Sequence, residues 1–250
     1  MNKKTIEPRQ SVICIKGLKK SFGENNVLCD FNVDLFEGEN LVVLGKSGSG
    51  KSVLTKCIIG LMLPDSGTIQ VFGDDVPELS HEDLDKMRVN VGFLFQSNAL
   101  YDSMTVRENL EFPLRRHWLS TKKETVDDLV MEALMNVGLA ETIDMMPIEL
   151  SGGMQKRIAL ARTLILKPKI ILYDEPTTGL DPITGKEISN LILEIQNKYN
   201  TSSIIISHDL KCAKITANRI VMLIDGICYA IGTYEELSKS SDKKVKQFFD

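Results

Sequence analysis

Nothing in this 250-residue chain approaches the run of ~18 apolar residues that a membrane-spanning helix needs. A basic surplus is also missing. The formal net charge is −4, so no positive surface bias points to nucleic acid. The opening Met1-Asn2-Lys3-Lys4-Thr5 has no apolar core behind it, which argues against a secretion signal. These absences lead us to expect a cytoplasmic protein whose membrane role, if it has one, comes through a partner. Paired cysteines are absent as well. Cys14, Cys29, Cys57, Cys212 and Cys228 form no C-x-x-C, and each lies in or beside an apolar segment. Reduced, buried thiols are the expectation, with Cys57 a candidate for oxidation. No internal repeat is present.

What the chain does have is 43 % apolar residues, enough for one α/β core with a smaller lobe. Gly45-Lys46-Ser47-Gly48-Ser49-Gly50-Lys51-Ser52 fits G-x-x-x-x-G-K-S/T at every fixed position. The apolar run Leu41-Val42-Val43-Leu44 before it reads as a buried strand. Val53, Leu54, Cys57, Ile58 and Leu61 after it lie at helical spacing. An incidental glycine turn would not carry both flanks. The glycines let backbone N–H groups wrap phosphates. Lys51 then reaches the β- and γ-phosphates, and the Ser52 hydroxyl ligates Mg²⁺.

A second run, Ile170-Ile171-Leu172-Tyr173-Asp174-Glu175-Pro176, leads a buried strand into two adjacent carboxylates. Ligands of open α/β sheets sit at that end of the strands. Asp174 is expected in the Mg²⁺ shell and Glu175 beside the attacking water. Because neighbouring strand residues point to opposite faces, two adjacent acids can take different tasks. Leu150-Ser151-Gly152-Gly153-Met154-Gln155 should open a helix whose free N–H groups face an anion. Two phosphate-binding elements about a hundred residues apart in one folding unit suggest two copies sharing two nucleotides. Gln96 ends the run Val91–Phe95, and its amide is placed to touch both Mg²⁺ and the lytic water. Gly179-Leu180-Asp181-Pro182 is a turn just after the acids. His208 follows the strand Ile204–Ser207, where a neutral imidazole can donate to the γ-phosphate.

In this order the motifs resemble those of an ABC-transporter ATPase subunit, from about Val12 to about Leu237. The resemblance implies a P-loop α/β fold with a mainly parallel core sheet, an antiparallel β subdomain and an inserted helical subdomain. It implies ATP and Mg²⁺ as ligands, a homodimer, and a multi-span membrane permease docked on the helical subdomain. Phe22, in Lys19-Lys20-Ser21-Phe22-Gly23, matches the aromatic that stacks on adenine. The signature is LSGGM rather than LSGGQ, but Ser151, Gly152 and Gly153 are in place for a γ-phosphate across the dimer. Asp181 falls in the D-loop.

GKSVLTK, SNALYDSMTVRENLEFPLRRH and LSGGMQKR together resemble the Mla-type ATPases of MCE-associated phospholipid transporters in Gram-negative bacteria. That narrower resemblance implies a peripheral subunit on the cytoplasmic face of the inner membrane, with an MCE-domain lipid-binding protein in the same complex. A small regulatory subunit is a further partner that it suggests. The sequence ends on Gln247-Phe248-Phe249-Asp250, so the long tail that some members use to reach a neighbouring subunit is not expected here. Lipoprotein release and small-solute import are the alternatives within the family. A soluble, non-transport ABC ATPase is the alternative outside it. DNA-repair relatives insert long coiled coils, and no sustained heptads occur here.

The expected organisation is a loose polar N-terminus at 1–10 and one ATPase domain at 11–237. A helical insert occupies about 97–165, and a short polar tail, expected to be mobile, fills 238–250. Ile13–Ile15, Phe31–Leu35 and Thr68–Phe72 read as the antiparallel sheet. The strands at Leu41, Val91, Ile170 and Ile204 read as the parallel one. Thr121-x-x-Glu124 reads as a capping box. Val126, Leu129, Val130, Ala133, Leu134 and Val137 then form a core-facing stripe closed by Gly138. Leu100, Tyr101 and Met104 are expected at an exposed docking surface. His117 and Trp118 read as packing or interface residues. Asp225-Gly226 signals a hairpin, and a last short helix begins at Thr233.

Overall fold

The computed structural model describes residues 10–117 and 123–249. The capping box at Thr121 and Glu124, the side chains of His117 and Trp118, and the segment 1–9 lie outside the described residues.

The chain begins with β1 (Ser11–Phe22), β2 (Asn25–Phe36) and β3 (Asn40–Leu44), followed by α1 (Lys51–Ile58). Next come β4 (Ser66–Val71), β5 (Asp74–Asp75), α2 (His81–Val89) and β6 (Val91–Leu94). Three helices follow: α3 (Val106–His117), α4 (Lys123–Asn136) and α5 (Gly152–Leu164). The chain then returns through β7 (Ile170–Asp174), α6 (Pro182–Tyr199), β8 (Ser202–Ser207) and α7 (Leu210–Thr216). It closes with β9 (Arg219–Ile224), β10 (Ile227–Gly232), α8 (Tyr234–Ser238) and α9 (Lys243–Lys246).

Among the described residues ten strands form one sheet in the order β5-β4-β1-β2-β10-β9-β3-β8-β7-β6. The members β9, β3, β8, β7 and β6 run parallel. The expected parallel set is therefore present, with β9 as an addition. β1, β2, β4 and β5 are antiparallel, also as expected, and join the parallel part through Ile227 of β10 opposite Asp30 of β2. Asp225 and Gly226, both at positive φ (52° and 75°), make the β9–β10 turn, the backbone that a two-residue hairpin of this hand requires.

Alternation along the buried strands sorts the core. Val42, Leu44, Ile171, Tyr173 and Ile205 face one cluster, packed under α3–α6. Leu41, Val43, Ile170, Leu172, Ile204 and Ile206 face another, packed under α1, α2 and the antiparallel strands. Both faces of a parallel sheet are covered, so its strands are apolar throughout rather than alternating. Val130, Ala133 and Leu134 of α4 and Val137 just after it are buried, and Gly138 takes φ +68° to end the turn, so the stripe is core packing as expected.

The end of the chain differs from expectation. Val245 on α9 is buried, and Phe248 and Phe249 pack against the core, with the Phe249 ring 5.5 Å from that of Tyr234. Tyr229 donates to Asp242 at 2.9 Å, and Lys244 pairs with Asp225 at 2.6 Å. Three apolar residues at i, i+3 and i+4 hold a segment whose composition alone reads as mobile.

A buried ion pair ties the two parts of the sheet together. Glu39, 3 % exposed, accepts from Arg219 Nε at 2.8 Å and Nη2 at 3.0 Å. Arg219 also donates to the Asp34 carbonyl and lies over the Phe36 ring. Removing Arg219 takes the counter-charge from a buried carboxylate. Arg219→Met is expected to lower stability by about 3 kcal/mol, read as a shift of the urea midpoint.

Candidate functional site

Strand β3 ends at Leu44 and the glycine loop 45–50 begins there, so its position is set by the end of that strand. Gly48 and Gly50 lie at φ +80° and +99°, and a Cβ on Gly50 would meet Val27 Cγ1 at 2.7 Å. Glycine is needed at position 50 both for the turn and for this close approach. Val27 belongs to the β1–β2 hairpin, and Phe22, 49 % exposed, stands near its tip with Lys20 over its ring. The hairpin thus lies against the loop through Asn25, Asn26 and Val27, with a half-exposed aromatic ring near its tip.

Lys51 is 6 % exposed and folded back. Its ammonium donates to the Gly45 carbonyl at 2.8 Å and the Lys46 carbonyl at 3.1 Å, and lies 3.4 Å from Glu175 Oε1. Ser52 donates to Asp174 Oδ1 at 3.0 Å. Burial raises the Asp174 carboxyl above its ordinary value, opposed mainly by that Ser52 hydrogen bond. Among the described residues no three His, Cys, Asp or Glu side chains gather into a metal cluster. The donors present are a hydroxyl and one carboxylate. That set fits Mg²⁺, which is held by one or two protein oxygens and completed by phosphate oxygens and water.

Glu175 lies one residue beyond β7, at φ +51°. Strand alternation does not separate the two acids, as the sequence reading had it. A left-handed residue does, and for a non-glycine this backbone costs about 1 kcal/mol or more. Hydrogen bonds hold the conformation. The Glu175 N–H donates to the Ile206 carbonyl at 3.0 Å, and the Thr178 hydroxyl donates to Glu175 Oε2 at 3.2 Å. His208 Nδ1 lies 2.8 Å from the same oxygen. The contact joins the histidine expected near the γ-phosphate to the acid expected near the water.

Ser151 is the N-cap of α5, its Oγ accepting from the Met154 N–H at 3.3 Å. A Cβ on Gly153 would meet Thr184 Cγ2 at 2.7 Å, so that glycine sets the packing of α5 on α6. Ser151, Gly152 and Gly153 share a cleft of about 400 Å³ with Gly179 and Asp181, and none of the loop residues 45–52 lines it. Within one chain the two phosphate-binding elements are not brought together. Asp181 caps α6, accepting from the Ile183 and Thr184 N–H groups at 3.0 and 3.1 Å and from the Thr184 hydroxyl at 2.6 Å. The carboxylate of this residue, expected from sequence as a nucleotide contact, is occupied in fixing the turn. Lys46, Ser47 and Ser49 stay on the loop as expected, the first two exposed.

Gln96 is exposed, and no hydrogen bond joins its amide to Ser52 or Asp174 among the described residues. Its carbonyl instead accepts from Lys156 Nζ at 2.9 Å. Lys156 is 2 % exposed. Burial pushes its ammonium down to about 8, while the Asp174 charge acts the other way. Sequence reasoning passed over Lys156 and Thr178, because neither breaks a pattern nor completes a motif. In the loop after Gln96, Tyr101 is 42 % exposed, whereas Leu100 packs against the core. Phe95 and Phe112 are exposed too, and Tyr101 and Phe112 have centroids 4.8 Å apart. Cys57 is buried, and burial raises its thiol to about 11, so the expected sensitivity to oxidation is not supported by its surroundings.

A phosphate loop, a hydroxyl and carboxylate for Mg²⁺, a second acid with a histidine, and a distant LSGG cap define an ATP-binding cassette. The family model "ABC transporter" matches residues 28–178, and the chain belongs to that family. It is 41 % identical over 97 % of its length to the "Probable ribonucleotide transport ATP-binding protein mkl" of Mycobacterium leprae, covering 70 % of that protein. It covers 66 % of the Mycobacterium tuberculosis counterpart, at 40 % identity over 94 % of this chain. It is 36 % identical over 96 % of its length to the intermembrane phospholipid transport system ATP-binding protein MlaF of Haemophilus influenzae, covering 90 % of it. Among solved structures, the ATP-binding cassette MJ0796, a dimer bound to ADP and Pi, superposes with a TM-score of 0.81 at 31 % identity. The match covers 89 % of this chain and 98 % of that one. The chain is thus an ATP-hydrolysing cassette that uses ATP with Mg²⁺, of the class that dimerises and works with a membrane permease. No helix among the described residues is long and apolar enough to cross a membrane.

Loss of the Asp181 cap is expected to cost about 1 kcal/mol. Comparing urea midpoints of Asp181→Ala and Asp181→Asn checks this, the asparagine variant retaining most of the cap.

Proposed function

We propose that two copies of this chain close on two ATP molecules and drive a permease that moves phospholipid between the inner and outer membranes. The observation that carries the closure is the separation of the two phosphate-binding elements into different clefts of one protomer. Each element is incomplete alone, and the polyphosphate charge needs donors from both. The glycine loop, Lys51, Ser52 and Asp174 of one copy hold the nucleotide, with Phe22 under adenine. Ser151, Gly152 and Gly153 of the other copy cap the γ-phosphate. Bound Mg²⁺ supplies charge neutralisation at the phosphate oxygens.

On closure Lys51 exchanges its carbonyl and Glu175 partners for phosphate, which frees Glu175 Oε1 for water. The water oxygen bonds phosphorus as the bond to the β-phosphate breaks, and the water proton passes to Glu175. His208 holds the other carboxylate oxygen, and Gln96 swings its amide toward the water and the metal. Loss of the γ-phosphate removes the group that both copies hold, and the dimer opens.

The exposed rings Phe95, Tyr101 and Phe112 border a cleft of about 290 Å³ beside α3, suited to receive a permease helix. The similarity to MlaF over nearly the whole of both chains supports phospholipid as cargo and an MCE-domain protein as partner. Small-solute import is the second reading. It is favoured by the 41 % identity to the mycobacterial protein and by 35 % identity to the methionine import ATP-binding protein MetN of Clostridium tetani.

Lys51→Ala is expected to abolish measurable ATP binding. Glu175→Gln is expected to bind ATP and to hydrolyse it about 10²–10³-fold more slowly. Wild-type turnover by Glu175→Gln in the assembled transporter would remove Glu175 as the base. For the cargo, tagged Glu175→Gln protein is recovered from detergent-solubilised membranes and analysed by mass spectrometry. A multi-span permease with an MCE-domain protein and phospholipid is expected. A different permease discards the lipid reading and keeps the ATPase one.

A further inference from the structure

A lysine is rarely buried without a carboxylate partner, because desolvating the ammonium is costly. Lys156 is 2 % exposed, and its ammonium is bonded not to an acid but to the backbone carbonyl of Gln96, at 2.9 Å. Six residues further along α5, Arg162 does the same to the next part of the loop. Its Nη2 donates to the Asn98 carbonyl at 3.0 Å and its Nη1 to Asn109 Oδ1 at 3.3 Å. Thr163 Oγ1 reaches the Phe93 carbonyl at 3.4 Å. Asn109, fully buried on α3, binds the loop further along. Its Nδ2 donates to the Tyr101 and Met104 carbonyls at 3.1 Å each, and its Oδ1 accepts from the Tyr101 N–H at 2.8 Å.

The backbone from Phe93 to Met104 is thus gripped at successive carbonyls by side chains of α5 and α3. Asn98 and Ala99 sit at φ +62° and +52°, a left-handed pair that this grip maintains. The other end of α5 is the Ser151–Gly153 cap. One rigid helix therefore carries the surface offered to the partner copy at its start and holds the glutamine loop of its own copy along its length.

We propose that Lys156, with Arg162, is a positioning residue for hydrolysis. It fixes the Gln96 backbone to the signature helix, so that Gln96 is presented to its own nucleotide in register with the Ser151–Gly153 cap presented to the other. The inference rests on the roles given above to Gln96 and to that cap. Lys156 touches neither nucleotide nor water in this scheme and acts through Gln96. Losing it leaves ATP binding intact and lowers turnover.

The test is a double-mutant cycle on the full-length protein, with ATP binding measured by titration of a fluorescent ATP analogue and turnover by phosphate release. Lys156→Met keeps the stem and removes the donor. It is expected to bind nucleotide within about twofold of wild type and to lose about tenfold or more in kcat. Lys156→Arg, which keeps a charged donor, is expected to recover most of that loss. Lys156→Met combined with Gln96→Ala is expected to be no slower than Gln96→Ala alone.

A Lys156→Met protein with wild-type kcat overturns the inference, and so does a loss that simply adds to that of Gln96→Ala. Wild-type turnover by Gln96→Ala instead overturns the role of Gln96 itself. A slow Gln96→Ala beside a fast Lys156→Met overturns only the present step. Should Lys156→Met not fold, Arg162→Lys carries the same cycle, because it keeps the charge but cannot span both the Asn98 carbonyl and Asn109. The same non-additive loss is then expected, and wild-type kcat overturns the inference.

Discussion

Three adjacent parallel strands, β3, β8 and β7, deliver their C-terminal ends to one side of the molecule, and that shared end brings Lys51, His208 and Glu175 within reach of one another. Lys51 follows the loop after β3, His208 follows β8 and Glu175 follows β7. Their meeting, at 3.4 Å for Lys51 to Glu175 and 2.8 Å for His208 to Glu175, follows from strand register rather than from proximity in the chain. Each strand is buried on both faces, so the register is held by two apolar clusters at once. A shift of one residue in β7 would exchange Leu172 and Tyr173 between the clusters and carry Glu175 away.

That end is also where strain and charge are stored. Glu175 adopts a left-handed backbone, and its carboxylate satisfies a lysine, a histidine and a threonine. Lys51 satisfies two carbonyls of its own loop as well. Each charge at this end of the sheet therefore has a partner drawn from a different strand or from the loop itself.

Much of this was legible in the chain. The glycine loop between an apolar strand and a helical stripe, the acids after a second apolar strand, and the LSGG cap each join a motif to its flanking periodicity. All of these elements stand where the flanks put them. What the pattern missed has physical causes. Val245, Phe248 and Phe249 are too few to outweigh the charge of their segment, yet their helical spacing suffices to pack it. The split between Asp174 and Glu175 was assigned to strand alternation, but the strand ends one residue earlier and a backbone turn does the work. The contact of His208 with Glu175 joins segments 33 residues apart, which no local pattern encodes.

The sequence by itself determined which groups this protein carries and in what order. Motif spacing and apolar period are local properties, and they suffice for a P-loop cassette with its loop, acids, signature and histidine. Only the tertiary structure decided which of them meet. Lys51 pairs with Glu175 across strands separated by more than a hundred residues, and Lys156 is buried against the Gln96 carbonyl. The signature lies in a cleft apart from the loop it would serve. Those outcomes depend on how sheet register and helix packing place distant backbone atoms, and no local pattern encodes a distance between segments that touch only after folding.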